Sequence, residues 1–170
     1  MTPIRSFARP LLVATLAVAV VGTSGCSWLR SKFGARVYHD NQQLAGPPVL
    51  LVVDSDRGFD AHLWLCAWLL SDAGCAVEVF DWPLPAGELA LAVEHLQPRA
   101  VLLYSSQALN TNHLQRLLAG YDCPCLITGQ AVQIHQQELS GMADQNPDLS
   151  LAADPLAALQ ILTDLNLLNS

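Results

Sequence analysis

The stretch Val49-Leu50-Leu51-Val52-Val53-Asp54-Ser55-Asp56-Arg57-Gly58-Phe59-Asp60-Ala61-His62 decides how this chain is read. It opens with a wholly apolar, β-branched-rich run and breaks at an acidic pair, Asp54 and Asp56. So short and bounded an apolar run reads as a strand buried on both faces, the pattern of a parallel sheet. A helix is expected next, from about Phe59 to Ala73 and closed by Gly74, and then a second strand, Val77 to Phe80. Strand, helix and strand make one crossover unit, whose hand is right-handed almost without exception. Ligands of open α/β sheets bind beyond the carboxyl ends of the strands, so the loop Asp54 to His62 is where binding is first expected.

The alternation continues to the end of the chain. Trp82-Pro83-Leu84-Pro85 turns it, and Leu89, Ala92, Val93 and Leu96 recur at helical spacing until Gln97-Pro98. Ala100 to Tyr104 reads as the third strand, ending in Ser105-Ser106. A helix follows from about Asn110, with Leu114, Leu117 and Leu118 inward, to Gly120. Cys125 to Thr128 is the fourth strand, with Gly129 and a short helix through Leu139 after it. A loop rich in turn formers (Ser140, Gly141, Asn146, Pro147) leads to a fifth strand, Leu149 to Ala152. Asp154 caps and Pro155 opens the last helix, whose Leu156, Leu159, Leu162 and Leu165 are expected to face the sheet. Five such units predict a flavodoxin-like, doubly wound parallel sheet of five strands in the order 2-1-3-4-5.

A chain of 170 residues with 52% apolar content suits one domain plus an extension. Charge divides it. No acidic residue precedes Asp40, whereas Arg5, Arg9, Arg30, Lys32 and Arg36 all do. From Asn41 onward three basic residues stand against fourteen acidic ones, 3 − 14 = −11. Such a surface repels phosphate, and no nucleic-acid partner is expected.

Residues 1–26 have the form of a secretory signal: a positive start at Arg5 and Arg9, an apolar stretch from Leu11 to Val21, then small residues up to Cys26. The apolar stretch is shorter than the ~20 residues a spanning helix needs. Gly25-Cys26 resembles the lipobox of bacterial lipoproteins, with Thr23 in place of the usual Leu or Val. That resemblance implies a lipidated Cys26, and Ser27 after it implies outer-membrane sorting and a periplasmic, cell-envelope location. An ordinary signal peptide, an uncleaved anchor, or a misassigned start with a cytoplasmic product are the other readings. Residues 27–48 then form a flexible linker, basic at first (Arg30, Lys32, Arg36), and ending in Gly46-Pro47-Pro48. Basic residues beside a lipid anchor favour an anionic membrane surface. The α/β domain occupies 49–170.

Cys66, Cys75, Cys123 and Cys125 show no zinc-ligand spacing and read as small buried hydrophobes. No nucleophile elbow, P-loop, dinucleotide fingerprint or paired-histidine zinc motif occurs, so catalysis finds no support.

Taken together, several segments resemble a cobalamin-binding domain. They are the strand–loop–helix ending at Gly74, the turn Trp82-Pro83-Leu84-Pro85, and Gln97-Pro98-Arg99-Ala100-Val101. Ser105-Ser106 and Leu126-Ile127-Thr128-Gly129-Gln130-Ala131 complete the set. The resemblance is closest to the C-terminal sensory module of MerR-family cobalamin-dependent light-responsive regulators and covers about Pro48 to Leu168. It implies a site at the strand ends, with cobalt ligated by the histidine of Asp-x-His-x-x-Gly. Asp60-Ala61-His62 supplies the first three places, but Leu65 stands where the glycine belongs. Counted back from Gly74, Phe59 falls at the histidine position and Arg57 at the aspartate. A helix one turn shorter would restore His62 to it. The family's Gly-Gly pair is Thr128-Gly129 here, and Ser105 and Ser106 match its small hydroxyl residues. The DNA-binding helices of those regulators have no counterpart. The strand-end acidic pair also resembles a response-regulator receiver, but Leu103-Tyr104-Ser105 offers no phosphoacceptor. Asp54 and Asp56 alone make a poor cation site, and no metal is expected.

Two classes of function follow. One is a non-catalytic binding or interaction module, a degenerate cobalamin-binding-like domain displayed from a lipid anchor, without a cofactor. The other is a genuine corrinoid or other small-ligand sensor. In addition, helix one is apolar all round: Leu63, Trp64, Leu65, Cys66, Ala67, Trp68, Leu69 and Leu70 follow His62. Its outer side, Trp64 with Trp68 and Leu65 with Leu69, needs cover. Either the linker folds back with Trp28 and Phe33, or a second subunit or protein partner lies there.

Overall fold

Five parallel strands form one sheet in the order β2-β1-β3-β4-β5. The structure, a computed structural model, describes residues 32, 34–39, 43–54, 60–106, 110–165 and 167. The strands are β1 (Val49–Val53), β2 (Val77–Phe80), β3 (Ala100–Tyr104), β4 (Cys125–Thr128) and β5 (Leu149–Ala152). The helices between and after them are α1 (Ala61–Asp72), α2 (Ala86–Leu96), α3 (Thr111–Leu118), α4 (Gln130–Ile134), α5 (Gln136–Gln145) and α6 (Pro155–Asp164). The flavodoxin-like order expected from the sequence is the order found.

Pleating explains why β1 is apolar throughout. Val49, Leu51 and Val53 point to the face that packs with Leu63, Cys66 and Leu70 of α1 and Ala158 and Leu162 of α6. Leu50 and Val52 point to the other face, with Leu89 and Val93 of α2 and Leu114 and Leu117 of α3. Both faces are covered, so alternation with polar residues would have left polar groups buried. Register is one-to-one across β1 and β3, from Val49 opposite Ala100 to Val53 opposite Tyr104. The same register carries on through β4 and β5, so Val53, Tyr104, Thr128 and Ala152 end level, while β2 stops one pair earlier, at Phe80 opposite Val52.

Local chemistry sets the helix ends. The Asp60 carboxylate accepts the His62 backbone N–H at 2.9 Å and starts α1. At the other end the Cys75 N–H reaches Leu70 O (3.0 Å) and the Gly74 N–H reaches Ser71 O (3.0 Å), a Schellman closure. Asn110 caps α3 through the His113 N–H, and Asp154 caps α6. At the opposite edge of the sheet, Arg99 donates to Pro47 O (2.7 Å) and Leu167 O (2.9 Å), tying the approach to β1 to the segment after α6.

Three expectations need correction. The loop expected from Ser140 onward is helical as far as Gln145, inside α5. Turn-forming composition at Ser140 and Gly141 is outweighed because the helix buries Leu139 and packs Met142 and Ala143 on the sheet. In α6, Leu156 and Leu165 are 49% and 51% exposed, while Ala158 and Leu162 are buried. Residues spaced by three drift −60° at each step around a helix, so Leu156 and Leu165 stand about 180° apart and cannot share a face. Leu96, expected inward on α2, is also 39% exposed.

The outer side of α1 is half-buried rather than bare: Trp64, Leu65, Trp68 and Leu69 are all partly covered. Residues 34–39 are helical, and Val37 is only 4% exposed, a member of the same core cluster as Leu63 and Cys66. A Cβ at Gly34 would sit 3.5 Å from Cζ3 of Trp64. Part of the chain between 27 and 48 thus lies on α1, as the fold-back reading required. Trp28 and Phe33, expected to carry that cover, lie outside the described residues.

Candidate functional site

Because β3, β4 and β5 end level, the first residues beyond them meet the first turn of α1 at one edge of the sheet. They enclose a cleft of about 490 Å³ lined by Asp60, His62, Tyr104, Ser106, Gly129, Gln130, Gln133 and Asp154, with Ala61, Ala153 and Pro155 between them. This is the edge at which doubly wound sheets bind ligands.

Asp60 and His62 form the charged corner. The His62 ring Nδ1 stands 3.4 Å from Asp60 Oδ1, the same oxygen that takes the His62 backbone N–H. The imidazole stacks on the Tyr104 ring, with centroids 6.2 Å apart and planes 12° from parallel. Burial acts to raise the Asp60 pKa, but hydrogen bonds and charge from His62, with a further hydrogen bond from Ser106, outweigh it and hold the pKa below the usual carboxylate value. The hydrogen bond to Asp60 raises the His62 pKa against the opposing effect of burial. Burial and the nearby Asp60 charge push the Tyr104 phenol far up, so it stays protonated.

These shifts carry opposite signs in stability. A lowered Asp60 pKa stabilises above its ordinary value of 3.8, and that stabilisation is lost as pH falls through the folded pKa. A raised His62 pKa stabilises fully below 6.5, and the gain is lost as pH rises through the folded pKa. Between the two ordinary values both contributions are present. Chemical denaturation of His62→Gln should therefore show less fall in stability from about pH 5.5 to about pH 8 than the native chain shows. Because His62 is about half exposed, the difference is under about 1 kcal/mol.

The electrostatics of the cleft are those of its own caps. Asp154 Oδ1 accepts from the Leu156 and Ala157 N–H groups, both at 2.9 Å, and Asp60 closes the start of α1. At the starts of α1 and α6 the partial positive charge with which helix N-termini hold phosphate is thus met by carboxylates of the chain itself, while the short α4 starts at Gly129 without a side-chain cap. No Lys or Arg is among the described lining residues. The arrangement suits neutral or cationic polar ligands and disfavours anions.

Of the residues singled out by sequence, Asp60, His62, Ser106 and Gly129 come together here. Ser105 does not. It is buried, its Oγ donates to Asp54 O at 3.1 Å, and its backbone bridges to Thr128 O and to the Ala131 N–H. Thr128 is fully buried beneath the cleft, its Oγ1 without a hydrogen-bond partner. Asp54 turns to α3, where His113 Nε2 lies 3.7 Å from its Oδ1. Asp56, Phe59 and Cys26 lie outside the described residues. Gly129 has φ +105°, and a Cβ there would fall 2.3 Å from Ser105 O and 3.2 Å from the Tyr104 ring. Its glycine character is accounted for by the chain's own packing, whatever a ligand requires.

Sequence reasoning missed Tyr104, Gln130, Gln133 and Asp154. Each stands at a strand end or in the helix turn after it, so the rule that pointed to the first loop reaches them too. Among the described residues no group of three or more His, Cys, Asp or Glu side chains is placed to hold a metal. The four described cysteines are unpaired. Burial pushes Cys125 up to about 12 and Cys123 up to about 11, so they act as packing groups rather than nucleophiles. Within the described residues no helix is long and apolar enough to cross a membrane.

Compared with models of protein families and with curated protein sequences, the chain matches none.

Proposed function

We propose that this chain is a non-catalytic binding module, a degenerate relative of cobalamin-binding domains, displayed in the cell envelope from a lipid-modified Cys26. Its ligand site is the cleft at the strand ends. The observation that carries this reading is the convergence of Asp60, His62, Tyr104, Ser106, Gln130, Gln133 and Asp154 around about 490 Å³ at that edge. The cleft favours an uncharged or cationic molecule rich in hydrogen-bonding groups, because no Lys or Arg is among its described lining residues and two of the three helix N-termini there, those of α1 and α6, are capped by carboxylates of the chain. Corrin ligation is not expected: α1 begins at Ala61, so His62 sits in its first turn, held to Asp60 and Tyr104, and Leu65 replaces the glycine. A cobalamin sensor is the second reading, favoured by one observation, that His62 lines the cleft.

Thermal-shift screening against small polar metabolites tests the site, with the native chain run beside Ser106→Trp, which fills the cleft. A ligand of the cleft raises the melting temperature of the native chain and leaves the variant unmoved. Compounds that stabilise both equally place binding elsewhere. The half-buried face of Trp64, Leu65, Trp68 and Leu69 is the surface we propose for self-association or a protein partner, read by light scattering.

A further inference from the structure

We propose that the ligand of the cleft is a cationic primary amine carrying several hydroxyl groups, its charge held by Asp60 and Asp154, and that protonated His62 competes with it for Asp60. The inference rests on the cleft being the binding site and narrows that reading from polar ligands in general to one chemical class.

Charge and hydrogen bonding select the class separately. Two carboxylates, Asp60 and Asp154, line the cleft, with no Lys or Arg among its described lining residues. Both cap bonds of Asp154 go to its Oδ1, which leaves Oδ2 to a ligand. The second observation does not involve charge. Thr128 is 0% exposed, and its Oγ1 has no hydrogen-bond partner. It pairs with Tyr104 on one side and Ala152 on the other, and residues paired across a parallel sheet present their side chains to the same face. The hydroxyl therefore stands in the row on which the cleft rests, where Tyr104 and Ala153 line it. A buried hydroxyl left unsatisfied is costly, and a ligand hydroxyl reaching this floor supplies the missing partner. Gln130 and Gln133, exposed at the wall, offer neutral donors and acceptors to the other hydroxyls.

His62 is the one described lining residue able to carry positive charge, and its Nδ1 lies 3.4 Å from Asp60 Oδ1. Protonated, it neutralises Asp60 and repels a second cation; neutral, it leaves the Asp60 charge to the ligand. The groups around it do not blur this exchange. Tyr104, stacked on the imidazole, and Cys66 within α1 are both pushed far up by burial and stay neutral. The α4 wall presents only Gln130 and Gln133, and the start of α6 only Asp154. Asp54 and His113 face each other on the α3 side of the sheet. Affinity for the ammonium should accordingly rise with pH as His62 loses its proton, by roughly fivefold or more for two like charges a few ångströms apart.

Calorimetric titration of the full chain with glucamine, sorbitol and gluconate tests this, because the three share one hydroxylated skeleton and end in an ammonium, a hydroxyl or a carboxylate. At about pH 8.5, where imidazole is neutral, glucamine should bind roughly fivefold or more tightly than sorbitol, and gluconate should not bind. At about pH 5.5 the affinity for glucamine should fall roughly fivefold in the native chain and hold steady in His62→Gln. Asp154→Asn keeps a side-chain acceptor for the cap, and should weaken glucamine while sparing sorbitol. The comparison of probes on the native chain needs no variant to fold. Glucamine that fails to bind, binds no better than sorbitol, or binds equally at both pH values overturns this proposal and leaves the cleft as a site for other polar ligands. Glucamine binding that survives Ser106→Trp overturns the cleft itself, and this proposal with it.

Discussion

Gly129→Ala should lower the stability of the domain by about 3 kcal/mol or more, among the largest effects any single methyl could have on this chain. Two independent costs meet at that position. Its φ of +105° lies in a region that residues with a Cβ rarely enter. The added carbon would also fall 2.3 Å from Ser105 O and 3.0 Å from Ser105 C, both backbone atoms that cannot swing aside. Ser105 itself is pinned by its N–H on Thr128 O (3.0 Å) and its O on the Ala131 N–H (3.2 Å), so relief requires parting β3 from β4 at the cleft. Thermal unfolding should show a melting temperature lower by roughly 10 °C. Gly87, where a Cβ would meet nothing within 4 Å, is the matched control, and Gly87→Ala should leave the transition within a few degrees of the native one. A Gly129→Ala variant as stable as that control would mean that the β3 and β4 ends are not packed as described.

Val37→Asp is the second large effect, and it separates a folded strap from a solvated tether. Val37 is 4% exposed in the cluster built on Leu63, Cys66 and Leu70. A carboxylate there loses the apolar burial of valine and is itself removed from water, together about 3 kcal/mol or more. The melting temperature should fall by roughly 10 °C, with tryptophan emission moving to the red as the α1 face opens. Val37→Leu keeps the site apolar but adds a methylene, so it should cost less than the carboxylate, about 1–2 kcal/mol. In a tether, neither change would alter unfolding at all.

Much of the fold was legible because its strands are unambiguous. Val49–Val53, Ala100–Tyr104 and Cys125–Thr128 are short apolar runs closed by polar or turn residues, and burial on two faces leaves such runs no other role. Helix phase was harder to read. Leu156 and Leu165 look like a stripe when counted in threes, yet the face is set by Ala158 and Leu162, and small residues at a close helix–sheet contact give a weak hydrophobic signal. Ser140 and Gly141 read as a turn because composition reports local preference, whereas Leu139 is held by the sheet beneath it.

The candidate site divides the same way. Asp60 and His62 were found because an acidic break after β1 marks the strand end. Ser105 was included for its hydroxyl, but the chain spends that group on Asp54 O. Tyr104 and Gln133 carry no motif, and only the tertiary arrangement brings them to the cleft. The strap at 34–39 was foreseen only as one of two ways to cover α1, since a single valine among polar residues has no periodicity to detect.

The central claim, a cobalamin-like domain whose cleft has lost corrin ligation, is tested most directly by titrating the purified chain with hydroxocobalamin and adenosylcobalamin and recording the visible spectrum. The account predicts spectra equal to the sum of free protein and free corrinoid, for the native chain and for His62→Ala alike. A saturable spectral change in the native chain that His62→Ala abolishes would contradict it and would make this protein a cobalamin sensor.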